Sequence, residues 1–179
     1  DMTAAGDYLT YTITSSGEGI VITGFYGSGT GVVIPETILG RPVVTIGSDA
    51  FNTRRQLVSV VIPATVTSIG NAAFANCTNL RGITLPANVT TIGFNAFQYC
   101  MSMTTITLPQ GLIQIGAVCF FGSSNLREIN VDESNITFAS VDGVLYDKNL
   151  TTVIECPQGK VGTVVLPDSV TIIGRPGVD

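Results

Sequence analysis

From Ile62 to Asn130 the apolar and polar positions form one sentence written three times: IPATVTSIGNAAFANCTNLRGIT from Ile62, LPANVTTIGFNAFQYCMSMTTIT from Leu85 and LPQGLIQIGAVCFFGSSNLREIN from Leu108. The starts lie 23 residues apart both times, and a fixed period in this range is the signature of a solenoid. Counted from zero, each copy carries an apolar residue, Pro, two variable residues, Val or Leu at offset 4 and Ile-Gly at 7 and 8. Ala or Cys and then Phe follow at 11 and 12, Leu or Met at 18 and Ile at 21. One coil of a solenoid cannot bury its own apolar face, so like residues stack on like in neighbouring coils. The columns Ile69-Ile92-Ile115, Phe74-Phe97-Phe120, Leu80-Met103-Leu126 and Ile83-Ile106-Ile129 are therefore the predicted core.

The flanks keep this grammar and bend it. A first repeat runs from Ile34, with five extra residues around Ile38-Leu39-Gly40-Arg41-Pro42 that the period can absorb only as an outward loop. Before it, Leu9, Tyr11 and Ile13 alternate with Thr10, Thr12 and Thr14, a turn follows, and Gly19 to Phe25 reads as a second strand. Residues 1–33 are thus expected to be an amino-terminal β-hairpin cap, with Gly27, Gly29 and Gly31 in a loop, not a phosphate cradle, because no helix opens after them. After Asn130 one irregular unit, 131–165, replaces the regular one; within it VLY and TTVIE read as hairpin strands around Asp147-Lys148-Asn149. LPDSVTIIG restarts the register at Leu166, and residues 166–179 read as a truncated last repeat without the Ala-Phe pair, open to fraying or edge pairing. The whole chain, 1–179, is expected to be one domain, with the repeats proper over 34–130.

Leu80, Ile83 and Leu85 and their equivalents spell LxxIxL, the strand-bearing piece of a leucine-rich repeat. Here it continues into Pro, then Val-Thr-x-Ile-Gly, then Ala-Phe-x-x-Cys, and in this form it resembles the BspA-type leucine-rich repeat family; the Asp-Gly-Val-Leu-Tyr run from Asp142 resembles an insert common in it. The resemblance covers essentially the whole chain. It implies a right-handed, α/β to mostly β solenoid, with short parallel strands on the concave face and turns or short helical pieces carrying Ala-Phe-x-x-Cys on the other. It also implies an extracellular or cell-surface bacterial protein that binds host matrix proteins or neighbouring cells. The amino end shows no basic-then-apolar leader, so an exported protein would here be in its mature or excised form.

Composition sharpens this mainly by exclusion. Residues are 45% apolar and 12% charged, which suits one continuous core, and no apolar run approaches the ~18 residues of a membrane span. A net charge of −5 with eight Lys and Arg argues against nucleic acid. Histidine is absent, which removes Ser/His/Asp and Cys/His nucleophile systems and the commonest zinc and haem ligand. No cofactor is called for. Cys77, Cys100, Cys119 and Cys156 show no CxxC spacing, and core packing is the favoured reading for them, with a Cys77–Cys100 disulfide as the alternative. Glu128, Asp132, Glu133, Asp142, Asp147 and Glu155 read as a solvated acidic rim; an acid-base pair for glycan or peptide cleavage is the less favoured reading. NxT tripeptides begin at Asn76, Asn88, Asn135 and Asn149 and are glycan acceptors only in a eukaryotic secretory pathway.

The remaining chemistry is surface chemistry. Side chains alternate along a strand, so where Ile83 and Leu85 point inward, Gly82 and Thr84 point out. The expected binding stripe is Ser59, Thr84, Thr105, Thr107, Glu128 and Asn130, without catalytic or metal-ligating residues. Arg81 and Arg127, at one offset, with Arg54 and Arg55 in the first repeat, form a second candidate, because Arg is a frequent interface anchor. The expected molecule is a monomer, or weakly associated end to end, whose partners are proteins. A structural spacer in a longer surface fibre is the rival to adhesion.

Overall fold

The computed structural model describes residues 7–174. In chain order its strands are β1 (Tyr8–Ile13), β2 (Ile20–Tyr26), β3 (Gly31–Val33), β4 (Thr37–Ile38), β5 (Arg41–Ile46), β6 (Ser59–Val61), β7 (Ser68–Ile69), β8 (Gly82–Thr84), β9 (Thr91–Ile92), β10 (Thr105–Leu108), β11 (Gln114–Ile115), β12 (Glu128–Val131), β13 (Phe138–Val141), β14 (Val144–Asp147), β15 (Thr152–Glu155) and β16 (Ile172–Ile173). They wind into a mostly β solenoid of about seven turns. The Ile-Gly segments of successive coils pair in parallel along β5-β7-β9-β11, and β2 extends this sheet parallel to β5, with β1 antiparallel to β2 at one edge. The strands that follow the Leu column pair in parallel as β3-β6-β8 and again as β10-β12.

The predicted columns are the core. Phe51, Phe74, Phe97 and Phe120 are sealed and stack ring on ring with centroids 5.1, 5.5 and 5.9 Å apart. Phe25, in the stretch read as the cap's second strand, extends the same pile at 6.0 Å from Phe51.

Among the described residues there is no helix, so of the expected turns or short helical pieces around Ala-Phe-x-x-Cys it is the turns that form. Two columns of left-handed residues show why: Asp49, Ala72, Asn95 and Val118 precede the small residue, and Thr53, Asn76, Tyr99 and Gly122 follow the Phe, all with φ between 49° and 75°. A helix closes its N–H groups on its own carbonyls. Here Ala72, Phe74 and Asn76 donate instead to Phe94, Ala96 and Gln98 of the next coil, and Asn95, Phe97 and Tyr99 to Ala117, Cys119 and Phe121. Left-handed geometry costs each non-glycine residue about 1–2 kcal/mol, which the intercoil ladder offsets.

The glycine after each Ile marks how closely coils approach. A Cβ on Gly70, Gly93 or Gly116 would stand 2.5, 2.5 or 2.2 Å from the backbone nitrogen of Ser48, Asn71 or Phe94 in the coil before. The five-residue insertion of the first repeat is a tight hairpin, β4 against β5, turning on Leu39 and Gly40 at positive φ.

The irregular unit is a three-stranded meander. The predicted hairpin of β14 and β15 is present, and β13 adds a strand in front, joined through Asp142 and Gly143, both at positive φ. Phe138 and Leu145 face the main core, while Val144, Tyr146 and Val153 form a second small cluster under Val164 and Val170. The restarted register places β16 parallel to β15; the missing Ala-Phe pair falls outside the described residues.

Candidate functional site

Alternation along β6, β8 and β10 does what the sequence leads one to expect. Val60 and Ile106 are buried, and Ser59, Val61, Gly82, Thr84, Thr105 and Thr107 are exposed. Register places Ser59 beside Gly82 and Val61 beside Thr84. The ladder then breaks: β8 pairs with β6, β10 pairs with β12, and β8 lies next to β10 without a hydrogen-bonded ladder. At this break Ile83 is only half-buried, although its column mates are sealed.

A groove of about 560 Å³ lies over this region, lined by the faces of β6, β8 and β10 and floored by Val60, Ile83 and Ile106. Ser59, Thr84, Thr105 and Thr107 all line it. Ala87, Gln110 and Asp132 complete the wall, and none of them follows from alternation. Ala87 and Gln110 come from the variable pair after Pro, and that variability within an otherwise strict repeat was their one signal.

Glu128 and Asn130 belong elsewhere. They line a separate polar hollow of about 440 Å³ with Ser140, Asp142, Lys160 and Thr163, where the meander folds back over β12. Asn130 donates to the Glu128 carboxylate at 3.4 Å, and the Lys160 ammonium donates to the Asp142 carbonyl. The predicted stripe is thus two sites. The arginines divide as well. Arg81 and Arg127 are exposed in one column beside the sheet, whereas Arg54 sits half-buried over the Tyr26 ring at 5.0 Å and Arg55 is exposed next to it.

Other candidate chemistry is structural. The Cys77 thiol donates to the Phe51 carbonyl at 3.1 Å and the Cys100 thiol to that of Phe74 at 3.2 Å; Ser123, next in the column, donates to Phe97 at 2.9 Å. Each donor satisfies the carbonyl of a stacked Phe, and the cysteines are unbonded to one another. Burial pushes the Cys77 thiol from 9.0 up to about 12, and burial followed by the neighbouring thiols of Cys77 and Cys119 pushes Cys100 up as well. Cys119 is buried too, but Cys156 is exposed, contrary to the core packing expected of all four.

Among the carboxylates, Asp147 serves the hairpin turn. Burial raises it, but donation from the Thr151 hydroxyl and from the N–H groups of Thr152 and Thr151 outweighs that and holds it below its ordinary 3.8. Asn135, one of the NxT asparagines, is sealed. Its amide donates to the carbonyls of Pro109 and Leu112 and its oxygen accepts from Thr137 and Phe138, so its nitrogen is not free to carry a glycan. Among the described residues no group of three or more His, Cys, Asp or Glu is gathered as a metal would require, and no helix is long and apolar enough to cross a membrane.

The model of the BspA type leucine rich repeat region matches residues 44–175 in six copies. The chain belongs to this family. Similar solved structures are bacterial leucine-rich repeat proteins. One is a leucine rich repeat protein of T. pallidum, 24% identical, TM-score 0.66, matched over 97% of this chain and 82% of that one. Another is the pneumococcal vaccine antigen PcpA, 21% identical, TM-score 0.64, over 93% of this chain but only 59% of PcpA. A third is a leucine-rich repeat protein from Bacteroides capillosus ATCC 29799, 26% identical, TM-score 0.65, over 74% of this chain and 99% of that one. No curated protein sequence matches this chain.

Proposed function

We propose that this BspA-type chain is a non-catalytic binding module of a bacterial surface protein, and that it engages an extended segment of a protein partner in the groove over β6, β8 and β10. The observation that carries the reading is the groove itself, which sits where the ladder breaks and offers hydroxyls from Ser59, Thr84, Thr105 and Thr107 above an apolar floor. Hydroxyls fix orientation through hydrogen bonds and the apolar floor supplies burial, which is how concave sites usually divide the labour. Solenoids commonly bind through their long sheet faces, and the family is typical of bacterial surface proteins. Host matrix proteins and neighbouring-cell proteins are the partner class this reading favours.

The test is binding of the purified chain to immobilised fibronectin, fibrinogen, collagen and mucin glycans, beside a Thr84→Arg variant that fills the groove and a Glu128→Ala/Asn130→Ala variant that alters only the neighbouring hollow. Saturable binding lost in Thr84→Arg alone supports the groove. Loss confined to the second variant moves the site to the polar hollow, and silence across the panel favours the spacer reading. Glycan turnover abolished by Glu128→Gln or Asp132→Asn would overturn the non-catalytic reading.

A further inference from the structure

At the amino-terminal edge of the main sheet β1 pairs only with β2 among the described residues, so one side of its backbone faces outward. Natural edge strands are blunted by Lys, Pro or inward charges. Tyr8-Leu9-Thr10-Tyr11-Thr12-Ile13 has none of these.

The direction of each backbone group follows from the hairpin. Thr14 donates to the Gly19 carbonyl, which makes that pair hydrogen-bonded, and such pairs alternate along an antiparallel ladder. The groups of Thr12 and Thr10 therefore point at β2, and those of Ile13, Tyr11 and Leu9 point outward. The β2 side agrees: Phe25, opposite Leu9, donates away from β1 to the Ala50 carbonyl. The register shift between Thr10 and Tyr11 takes its extra residue, Thr23, from β2 and leaves the alternation of β1 intact.

Side chains fall in the same phase. Leu9, Tyr11 and Ile13 stand opposite Phe25, Ile22 and Ile20, all buried, so they lie on the core face of the sheet. Leu9 packs against that core, but Tyr11 is 38% and Ile13 47% exposed. The apolar face overhangs the end of its own core.

We infer that β1 is a self-association edge, pairing antiparallel with β1 of a second copy about a two-fold axis through Tyr11. The strand is its own complement. Leu9-Thr10-Tyr11-Thr12-Ile13 reads apolar, Thr, Tyr, Thr, apolar from either end, so an axis normal to the sheet sets Leu9 against the partner copy's Ile13, Tyr11 against Tyr11 and Thr10 against Thr12. The outward-pointing residues of one copy then meet those of the other, and each such pair exchanges both of its N–H···O=C bonds. Apolar residues stay on the core face, and threonine pairs, which favour each other across strands, stay on the opposite face. Registers centred on Thr10 or Thr12 would keep the backbone bonds but set Ile13 against Asp7 or Leu9 against Ser15, so only an axis at Tyr11 pairs all three apolar residues with apolar ones. The contact is isologous and closes at a dimer.

Sedimentation of the full chain over a concentration series reaching the millimolar range tests this. The expected result is a reversible dimer that Tyr11→Lys, which sets two like charges opposite each other on the axis, weakens by about tenfold or more. Tyr11→Pro removes only an outward N–H and should act the same way, and thermal melts of both variants should match the parent. In a Cys156→Ser background Tyr11→Cys should cross-link under mild oxidation, because the Cα separation of about 5.5 Å in a hydrogen-bonded pair lies within disulfide range. A monomer throughout the series, a dimer indifferent to Tyr11→Lys, or a Tyr11→Cys dimer that resists cross-linking would each overturn the inference. Thr84→Arg should leave the dimer unchanged, so this edge and the groove fail or stand separately.

Discussion

Between Ile46 and Asn130 each coil lends the next the same residue at the same offset, while between Val131 and Val165 nothing recurs and the chain closes on itself. The regular coils bury Phe on Phe and pass backbone hydrogen bonds from coil to coil. The meander relies on single side chains that each settle several local groups: Asn135 joins four, Asp147 secures the Thr151–Thr152 turn, and the Lys148 ammonium donates to the Asn135 carbonyl. A column distributes its stabilisation over neighbours that resemble each other; a polar hub concentrates it in one residue. The two regions should therefore fail differently when cut.

The largest effect belongs to the column. Phe97→Ala, which removes a ring stacked on both sides, should cost about 3–5 kcal/mol in denaturant melts; a loss below about 1 kcal/mol would mean that the pile can close over a gap. Asn135→Ala should follow at about 2–3 kcal/mol, since it strips partners from buried backbone groups on both sides of one turn. Hydrogen exchange would sharpen the contrast. Phe97→Ala should raise exchange in the adjoining coils, whereas Asn135→Ala should raise it in β13 and the turn before β14.

Smaller effects separate shape from hydrogen bonding within the column. Cys77→Ser keeps a donor for the Phe51 carbonyl and should cost less than about 1 kcal/mol, whereas Cys77→Val leaves that carbonyl with the Arg54 N–H alone and should cost more, up to about 1.5 kcal/mol. The smallest is the response to acid. Asp147 is held below its ordinary value in the fold, so its contribution is present above 3.8 and is lost as the pH falls through its lowered value. An acid titration of melting temperature should show a component that Asp147→Asn removes, and an unchanged profile in that variant would show that the turn does not depend on the charge.

How much of this the sequence shows depends on which physics repeats. Phe51, Phe74, Phe97 and Phe120 are legible because stacking demands the same side chain in every coil. The donors below them are not, because Cys at that offset passes for a small hydrophobe; only Ser123 in the same column hints that the position wants a proton to give. The left-handed residues are equally hidden, since Ala72, Asn95 and Val118 share a backbone angle and no chemistry. In the meander the hairpin around Asp147 shows in its β-branched strands, but β13 does not, because FASV lacks clear alternation. On the surface, strict alternation yields Ser59, Thr84, Thr105 and Thr107. It cannot separate Glu128 and Asn130 from them, because the parting of β8 from β10 and the return of the chain over β12 are tertiary events.

Gly70, Gly93 and Gly116 have a further consequence. By letting backbones touch, they hold the coils at the strand spacing of about 4.8 Å, so the outer face is a ruler with fixed divisions. An extended chain laid along the stack has its own divisions, about 6.6 Å between residues on one side. The two scales slip by nearly 2 Å per coil, a vernier that brings them into step over only a few divisions. A partner running along the stack therefore slips more than half a division within two steps and comes back into step only about every fourth coil, where four strand spacings nearly equal three side-chain repeats. Longer solenoids of this make would gain separate reading frames, not a longer one.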